Sequence, residues 1–295
     1  MVLKPGDGAS IIAPASQLRG GEQGLLGAAV NLLESWGLRV FVRVDNTHHF
    51  YLAGPDAVRA EHLNTSLADT DTKVIFCLRG GYGCLRLLPY LNGDMSPPDK
   101  ILVGYSDFTG LHLAARKLWP QVELIHGPNV ATRQLIGDEI DCALTRQSLH
   151  NALFAPETVE EQVEFLRPGS AEGRLEGGCL SLVVATLGTK YALNTVDAIL
   201  FLEDTGEAPY RIDRMLTHLR NAGKFEAVRG IVFGKMRNCT DPYNDLRDVL
   251  RDFFQDAPFP VAFGLNSGHG PSNLSLRLGT TAELISEGLC FRMEP

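Results

Sequence analysis

The chain has 295 residues and a formal net charge of −8, with 44% hydrophobic and 21% charged residues. This composition is typical of a globular protein of roughly two domains, and the acidic balance, without a stripe of interleaved basic and aromatic residues, argues against a nucleic-acid partner. No apolar run approaches the roughly 20 residues that span a bilayer, and the N-terminal stretch MVLKPGDGASIIAPASQ lacks the apolar core of a secretory signal. We therefore expect a cytoplasmic protein.

Short apolar runs and helical patterns alternate through the first half of the chain. KVIFCL and KILVGY are brief, continuous apolar runs followed by turn residues, which suit parallel strands buried on both faces. We therefore predict an α/β domain with a parallel sheet over residues 1–154. Its predicted strands cover 10–15, 39–44, 73–78 and 100–105, and its predicted helices cover 24–36, a segment opened by Gly54-Pro55-Asp56, and 132–153.

The pattern weakens over residues 155–172, a polar stretch with proline and glutamate that we interpret as a linker to a second domain, 173–295. The six cysteines of the chain are scattered without a CxxC pair, so we expect buried apolar side chains rather than a metal site. In the second domain we predict helices at 179–187 and 210–221, strands at 198–203, 230–234 and 261–265, and a terminal hairpin from 274–278 and 281–285.

The strongest local signal is the segment ILVGYSDFTGLH, in which an apolar strand runs into Ser106 and a helical pattern follows. A serine at such a corner projects from the carboxyl edge of a parallel sheet, where open α/β folds bind ligands. The main-chain amide of Asp107 would then lie at a helix N-terminus and could stabilise an oxyanion. On this segment alone helix capping is the commoner explanation, and the GxSxG spacing of a nucleophile elbow is not met, because Phe108 holds the last position.

A second signal is Arg79-Gly80-Gly81-Tyr82-Gly83, directly after the apolar run KVIFCL. Three glycines in four positions allow the backbone to approach a ligand and to point N–H groups at it. The glycines do not match GxGxxG and no GKS/T follows, so a phosphate-binding loop is not indicated. A tight strand-to-helix turn explains the segment alone, but beside Ser106 it could supply a second oxyanion donor.

Two further segments bring acids and a histidine to the ends of predicted strands. In FLEDTGEAPYR, Glu203 stands at the tip of the strand and Glu207 lies in the loop, so Glu203 is the better held candidate for orienting a histidine. In NSGHGPSN, His269 lies between glycines after a strand, a setting that leaves its ring accessible to act as a base. The acids could instead favour the N-terminus of the following helix.

The other histidines carry weaker signals. His48 and His49 are adjacent, and we interpret them as a solvated surface pair. His112 and His126 could line a pocket, but a structural role is the commoner one for histidines in such settings. The remaining three lie in polar, helical contexts and are interpreted as incidental: His62, His150 and His218.

Taken together and in this order, the segments resemble the LD-carboxypeptidase family of serine peptidases, which includes muropeptide carboxypeptidases and microcin C immunity-type peptidases. The resemblance covers nearly the whole chain, through IIAPAS, RGGYG, VGYSDFTGLH, HGP, GRLEGGCLSLV, FLEDTGEAPYRIDRML and GHGPSNLSLRLG. It implies a flavodoxin-like N-terminal α/β domain joined to a smaller, swivelling C-terminal α/β domain. It also implies a homodimer that needs no metal or organic cofactor.

The same resemblance implies a catalytic triad of Ser106, Glu203 and His269, split between the two domains. It implies an oxyanion hole formed by the main-chain amides of Gly81 and Asp107. We further expect substrate contacts from Arg79, Gly80, Tyr82 and Cys179. The family usually carries asparagine at the position of Cys179, and this departure could alter the polarity of the pocket and hence the substrate preference. The family also often has proline near Arg277. Glu176 is an unusual charge for a neighbourhood that we expect to be largely apolar.

The implied reaction is hydrolysis of an L,D-peptide bond that releases a C-terminal D-amino acid from murein tetrapeptides. An alternative with the same chemistry is cleavage of a peptidyl-nucleotide antibiotic of the microcin C type. An alternative of another class is a non-catalytic protein that binds a peptide or a nucleotide. A glutamine amidotransferase-like enzyme is disfavoured, because the corner position holds serine rather than cysteine.

Overall fold

The structure, a computed structural model, describes residues 1–45, 47 and 49–295. It contains two compact units, Met1–Pro156 and Glu157–Pro295. One member of the predicted surface histidine pair, His48, lies outside the described residues. No helix within the described ranges is long and apolar enough to cross a membrane.

The first unit is built on five parallel strands in the order β2-β1-β3-β4-β5. This order, with every pairing parallel, is the flavodoxin-like arrangement, so the predicted fold class of this unit is confirmed. Two short 3₁₀ turns, at Cys84–Tyr90 and Ser106–Phe108, follow β3 and β4. The elements are β1 (Gly8–Ile12), α1 (Gln23–Ser35), β2 (Arg39–Arg43), α2 (Asp56–Ala68), β3 (Thr72–Cys77), β4 (Ile101–Gly104), α3 (Thr109–Leu118), β5 (Glu123–His126), α4 (Arg133–Ile136) and α5 (Ile140–Phe154).

The core of this unit explains the continuous apolar runs in the sequence. Alternate strand residues such as Ile11, Phe76 and Val103 pack with Leu33 of α1 and Leu149 of α5 on one face of the sheet. The intervening residues point to the other face and are also fully buried, among them Ile12, Ile75, Cys77 and Leu102. A strand buried on both faces cannot alternate polar and apolar residues, so KVIFCL and KILVGY are the expected sequence form.

The single helix predicted over 132–153 is wrong, because the structure breaks it into α4 and α5. Gly137 ends α4, and the Cβ of any other residue there would lie 2.7 Å from the carbonyl oxygen of Arg133. The guanidinium of Arg146 in α5 donates hydrogen bonds to the carbonyls of Leu135 (2.8 Å) and Gly137 (2.6 Å). These bonds satisfy helix-terminal carbonyls that a continuous helix would have paired internally.

Arg59 of α2 connects three loops at the carboxyl edge of the sheet. Its side chain is buried, and its Nε donates a hydrogen bond to the carbonyl of Gly54 at 3.0 Å. Its Nη1 donates to the carbonyls of Gly83 (3.2 Å) and Pro14, and its Nη2 pairs with Asp56. One buried cation therefore holds the loop after β1, the loop before α2 and the glycine loop after β3.

The second unit contains an eight-stranded sheet in the order β6-β14-β13-β8-β9-β10-β11-β7. The central pairs, β8 with β9, β9 with β10 and β10 with β11, are parallel, and the outer pairs are antiparallel. The elements are β6 (Val159–Gln162), β7 (Glu164–Arg167), β8 (Ser170–Cys179), α6 (Leu180–Ala185), β9 (Ala198–Thr205), α7 (Pro209–Asn221), β10 (Gly230–Arg237), α8 (Leu246–Phe253), β11 (Val261–Gly268), β12 (Leu276–Leu278), β13 (Thr281–Ile285) and β14 (Cys290–Met293).

The stretch predicted as a linker, 155–172, forms β6, β7 and the start of β8, so that prediction is wrong over most of its length. β6 and β7 are the two edge strands of the sheet, and edge strands commonly carry charged residues. Glu160 of β6 pairs with Arg292 at 2.8 Å, and Glu164 of β7 pairs with Arg247 at 3.1 Å. The glutamates that weakened the pattern in the sequence are therefore features of an edge strand.

The predicted terminal hairpin of 274–278 with 281–285 is also wrong. β13 pairs antiparallel with β14 and with β8, so the hairpin lies one strand later in the chain. The turn that closes it, Ser286–Gly288, ends at Leu289 in the left-handed region, with φ +50°. The sequence does carry turn residues here, Ser286 and Gly288, but the left-handed position itself is held by Leu289, where glycine or asparagine would be expected.

We predict that Arg59→Met destabilises the protein by roughly 3 kcal/mol, because the carbonyls of Pro14, Gly54 and Gly83 lose their donor and Asp56 keeps only its ion pair with Arg86. Urea unfolding followed by circular dichroism measures the free energy of unfolding of the variant and the parent. The matched control is Arg19→Met, at an exposed arginine, which we expect to change stability by no more than about 0.5 kcal/mol. Equal effects of the two substitutions would contradict this prediction.

Candidate active site

Ser106 lies at the corner between β4 and the helical segment that begins with the Ser106–Phe108 turn. Its φ is +61°, in the left-handed region that a non-glycine residue rarely adopts. A serine that caps a helix has extended backbone angles, and the residue with those angles here is Tyr105. The capping interpretation therefore does not fit, and the strained corner has the backbone character of a nucleophile elbow.

The glycine loop after β3 passes close to this serine. A Cβ placed on Gly80 would lie 3.1 Å from Ser106 Oγ, and one placed on Gly81 would lie 2.2 Å from Ser16 Oγ. The Ser16 hydroxyl also accepts a hydrogen bond from the amide of Tyr82 at 3.3 Å. Ser16 follows β1, so the loops after β1 and β3 meet at the position where the strand order reverses, which is the ligand-binding point of such sheets.

Asp107 connects the serine corner to the end of the same glycine loop. Its buried carboxylate accepts a hydrogen bond from the amide of Cys84 at 2.7 Å. Burial raises the pKa of Asp107, and the hydrogen bond from Cys84 opposes that shift. The turn that carries Ser106 and the loop that carries Gly81 are thus fixed relative to one another within the first unit.

In the second unit, Glu203 and His269 form a direct contact. Glu203 lies near the end of β9 and is fully buried, and His269 follows β11. Glu203 Oε2 is 2.6 Å from His269 Nδ1 and also accepts a hydrogen bond from the main-chain amide of His269 at 3.1 Å. This arrangement fixes the ring orientation and leaves Nε2 as the nitrogen available for proton transfer.

Two glycines provide the space that this contact needs. A Cβ on Gly268, whose φ is +105°, would lie 2.4 Å from Glu203 Oε2 and 2.7 Å from its Cγ. A Cβ on Gly234 of β10 would lie 3.1 Å from the Cβ of Glu203 and 2.6 Å from the carbonyl oxygen of Ser267. The Glu203 side chain therefore occupies space that is open because residues 234 and 268 have no side chain.

Asn273 supports the loop that carries His269. Its fully buried side-chain oxygen accepts hydrogen bonds from the amide of Gly268 (2.8 Å) and from the hydroxyl of Ser267 (3.3 Å). The single proton of the Ser267 hydroxyl is shared with the carbonyl of Leu274, which is the closer acceptor at 2.8 Å. These bonds hold the residues on both sides of the turn and so fix the position of the His269 backbone.

The Glu203 carboxylate changes the pKa of His269 and so the ease with which the ring takes up a proton. Burial alone would lower the pKa of His269, but the Glu203 carboxylate outweighs it, and the pKa is raised above the ordinary value of 6.5. Burial raises the pKa of Glu203, with His269 opposing the shift. A carboxylate in this position stabilises the imidazolium that forms when the histidine takes a proton.

The three acids at the end of β9 have different partners. Asp204 accepts a hydrogen bond from the amide of Ser181 at 2.8 Å, and Glu207 pairs with Arg211 at 3.5 Å. Glu203 is the acid that contacts the histidine, as the strand-tip argument from the sequence anticipated. Among the described residues, no group of three or more histidine, cysteine or acidic side chains is arranged to hold a metal ion.

The expected substrate-binding residues have varied settings. Arg79 donates a hydrogen bond to the carbonyl of Gln17 at 3.0 Å and pairs with Glu22 at 3.4 Å. Tyr82 is 47% exposed and packs edge-on against Tyr51, which leaves it available to a ligand. Cys179 is buried in register with Glu203, and burial raises the pKa of its thiol well above the ordinary value.

The histidines interpreted as structural are buried. His112 packs edge-on against Phe108, and burial lowers its pKa to about 3, so it is neutral at physiological pH. His126, at the end of β5, lies edge-on to Tyr105 with ring centroids 6.0 Å apart. Neither geometry gives these rings a role in proton transfer.

Three small polar residues that were not predicted as site residues hold the loops of the site with their side chains. They are Ser16, Asn273 and Asn129, and the side-chain oxygen of Asn129 accepts a hydrogen bond from the amide of Tyr105 at 3.3 Å. Ser16 and Asn273 lie within the motifs IIAPAS and GHGPSN noted above, and Asn129 directly follows the motif HGP. Serine and asparagine in loops commonly bond to nearby main chain, so this residue type after a strand was an available signal.

Comparison with known proteins gives matches across nearly the whole chain. Residues 10–127 match the LD-carboxypeptidase N-terminal domain, and residues 172–284 match the LD-carboxypeptidase C-terminal domain. A putative carboxypeptidase of Streptomyces coelicolor is 36% identical, over 96% of this chain and 91% of that protein. A probable murein peptide carboxypeptidase of Bacillus subtilis is 34% identical, over 96% of this chain and 90% of that protein.

Solved structures share the fold. The muramoyltetrapeptide carboxypeptidase of Oxalobacter formigenes has a TM-score of 0.86 at 29% identity and covers 97% of both chains. The microcin C7 self-immunity protein MccF has a TM-score of 0.89, covering all of this chain and 97% of its own, but its 20% identity carries an argument about fold alone. From the domain matches and the 36% identical relative, the chain belongs to the LD-carboxypeptidase family and is a serine-type carboxypeptidase hydrolase.

Proposed function

We propose that this protein releases a C-terminal D-amino acid from murein tetrapeptides by hydrolysing an L,D-peptide bond, with Ser106, His269 and Glu203 as its catalytic triad. The observation that carries the proposal is the 2.6 Å contact between His269 and Glu203, together with the left-handed backbone of Ser106. Similarity to proteins named murein peptide and muramoyltetrapeptide carboxypeptidases supports the substrate class.

The proposed reaction begins when His269 Nε2 takes the proton of Ser106 Oγ. The oxygen attacks the carbonyl carbon that precedes the C-terminal residue, and the carbonyl oxygen becomes an oxyanion. The main-chain amides of Gly81 and Asp107 donate hydrogen bonds to that oxyanion. The carboxylate of Glu203 meanwhile stabilises the protonated ring of His269.

The second half returns the enzyme to its starting state. Protonated His269 gives its proton to the nitrogen of the C-terminal D-amino acid, the C–N bond breaks and the amine leaves. His269 then removes a proton from a water molecule, which attacks the ester formed on Ser106. As the tetrahedral intermediate collapses, the C–O bond to Ser106 breaks, His269 returns its proton to Ser106 Oγ, and the peptide leaves with a new carboxyl group. Both steps use the protein's own side chains.

The cellular role that we propose is cell-wall recycling in the cytoplasm, by a homodimer. A second candidate substrate is a peptidyl-nucleotide antibiotic of the microcin C type, which would use the same acyl-transfer steps. At 20% identity the fold shared with the microcin C7 self-immunity protein is compatible with this substrate but does not select it over a murein peptide. The non-catalytic alternative predicts no covalent chemistry at Ser106.

We predict that the purified protein releases D-alanine from an LD-tetrapeptide and that Ser106→Ala lowers turnover by at least 1000-fold, because the variant has no nucleophile. Mass spectrometry of the products measures the release. Without release, labelling of Ser106 by a serine-directed phosphonate would direct the search to peptidyl-nucleotides. Absence of both release and labelling would favour the non-catalytic binding protein.

The pH dependence follows from the direction of the pKa shift of His269. The reaction needs neutral His269, so kcat/KM should fall as pH drops, with a midpoint above the ordinary histidine value of 6.5. Glu203→Gln should lower kcat by at least 100-fold and move this midpoint to lower pH, because burial still lowers the pKa of His269 and the Glu203 carboxylate that opposes it is gone. Glu207→Gln is the matched control, and it should stay within a few-fold of the parent; equal damage from the two substitutions would show that the wrong acid is proposed.

The space around Glu203 gives a further prediction. Gly268→Ala should lower kcat/KM by at least 100-fold, because the new Cβ displaces the carboxylate from His269. Gly264→Ala is the control: it lies on the same strand with a similar φ of +97°, but its Cβ would meet nothing within 4 Å. The low-field proton NMR signal of His269 Nδ1–H should be lost in the first variant and kept in the second, and similar behaviour of both would count against the steric argument.

A further inference from the structure

Three neighbouring parallel strands of the second unit end side by side. β9 carries Glu203, β11 leads into His269, and β10 lies between them. At the end of β10, Lys235 is in register with Gly268 and Arg237 is in register with Thr205. The strand between the acid and the base therefore brings two cations to the carboxyl edge of the sheet.

These cations line a groove of about 850 Å³ within the second unit. This volume falls in the range of small-molecule sites. The groove, which we call the cationic groove, is lined by Lys235, Arg237, Tyr243, Arg247, Gly270 and Pro271, among others. A Cβ on Gly270 would lie 2.6 Å from Lys235 Cγ, so the lysine side chain runs directly along the residue that follows His269.

Neither Lys235 nor Arg237 forms a close ion pair with another described residue, although the charge of Lys235 acts on the more distant carboxylate of Glu161 and opposes the rise that burial causes in the Glu161 pKa. Within the described ranges no carboxylate lies within 4 Å of either side chain's charged nitrogens, and Lys235 Nζ makes one long hydrogen bond, 3.5 Å, to the carbonyl of Gly264. The third cation, Arg247, pairs with Glu164 at 3.1 Å. Lys235 and Arg237 differ from Arg247 in having no close carboxylate partner in the described part of the chain, and they lie at the end of the strand between Glu203 and His269.

The acids that line the groove are occupied by their own loop. Asp241 Oδ1 accepts hydrogen bonds from the amides of Tyr243 (2.9 Å) and Asn244 (3.0 Å), and these lower the pKa of Asp241. Asp245 Oδ1 accepts from the amide of Arg247 at 2.7 Å, as the N-cap of α8. Both carboxylates stay anionic and offset part of the positive charge of the groove, but their oxygens are held by the amides of their own loop, and neither forms an ion pair with Lys235 or Arg237.

We propose that the cationic groove binds the terminal carboxylate of the peptide substrate through Lys235 and Arg237. This inference rests on the proposed function. The nitrogen that would receive a proton from His269 is separated from the terminal carboxylate by one carbon atom, so a cation beside His269 is well placed to meet that carboxylate. Charge-assisted hydrogen bonds to a carboxylate are among the stronger polar contacts, and they would select peptides that end in a free acid.

The test compares two LD-tetrapeptides, one ending in D-alanine and one in D-alaninamide. The parent enzyme should prefer the free acid in kcat/KM, and Lys235→Gln with Arg237→Gln should lower kcat/KM for the acid by about 10- to 100-fold. The amide should change by less than about twofold. Lys235→Arg should retain the preference, and Lys190→Gln, at an exposed cation outside the groove, should behave as the parent.

The outcomes separate this inference from the proposed function. Equal losses for acid and amide, or no loss for either, would overturn the carboxylate role while leaving the peptidase activity intact. If the parent cleaves neither peptide, the proposed function fails, and calorimetric titration with N-acetyl-D-alanine then tests the groove directly. Binding that is weakened at least tenfold by Lys235→Gln would support the groove, and absence of binding to the parent would overturn it.

Discussion

The contact between His269 Nδ1 and Glu203 Oε2 depends on a buried charge, on space around that charge and on a fixed histidine loop, and the second unit supplies all three. A buried carboxylate is costly unless it has a close partner, and Glu203 is fully buried. The cost is offset by the 2.6 Å contact to the ring and by the main-chain amide of His269. Gly234 and Gly268 leave room for the carboxylate, and Asn273 holds the loop that presents the histidine.

In the first unit, the residue that needs support from its surroundings is Ser106, because of its backbone conformation. Ser106 adopts a left-handed backbone, and such strain persists only when the surroundings over-determine the position. The buried β4, the carboxylate of Asp107 and the side chain of Asn129 supply those restraints. In both units, the residues of interest lie at the carboxyl ends of parallel strands, where side chains and loop amides converge.

The sequence allowed prediction of the elements that periodicity and strand-end motifs define. The central strands, the corner at Ser106 and the preference for Glu203 over Glu207 all followed from apolar runs that end in polar residues. The α4–α5 break did not, because it depends on Arg146 reaching back to carbonyls of an earlier helix. β6 and β7 were missed because their pairing partners, β14 and β11, lie about 90 residues or more further along the chain.

Part of the site also depends on contacts that no local pattern encodes. Arg59 resembles an ordinary helix-surface arginine in the sequence, yet it is buried and binds the carbonyls of Pro14, Gly54 and Gly83. The collision that a Cβ on Gly268 would make with Glu203 involves residues 65 positions apart. Such long-range constraints can be recognised only once the strands that bring the residues together are known.

The backbone angle of Ser106 also limits which amino acids evolution could try at this corner. With φ at +61°, a β-branched side chain is strongly disfavoured, so threonine is a poor replacement although it carries the same hydroxyl group. Glycine would relieve the strain but would remove the hydroxyl. Of the two aliphatic alcohols, serine and threonine, the fold therefore accommodates serine at this corner, whatever selection acts on the hydroxyl group.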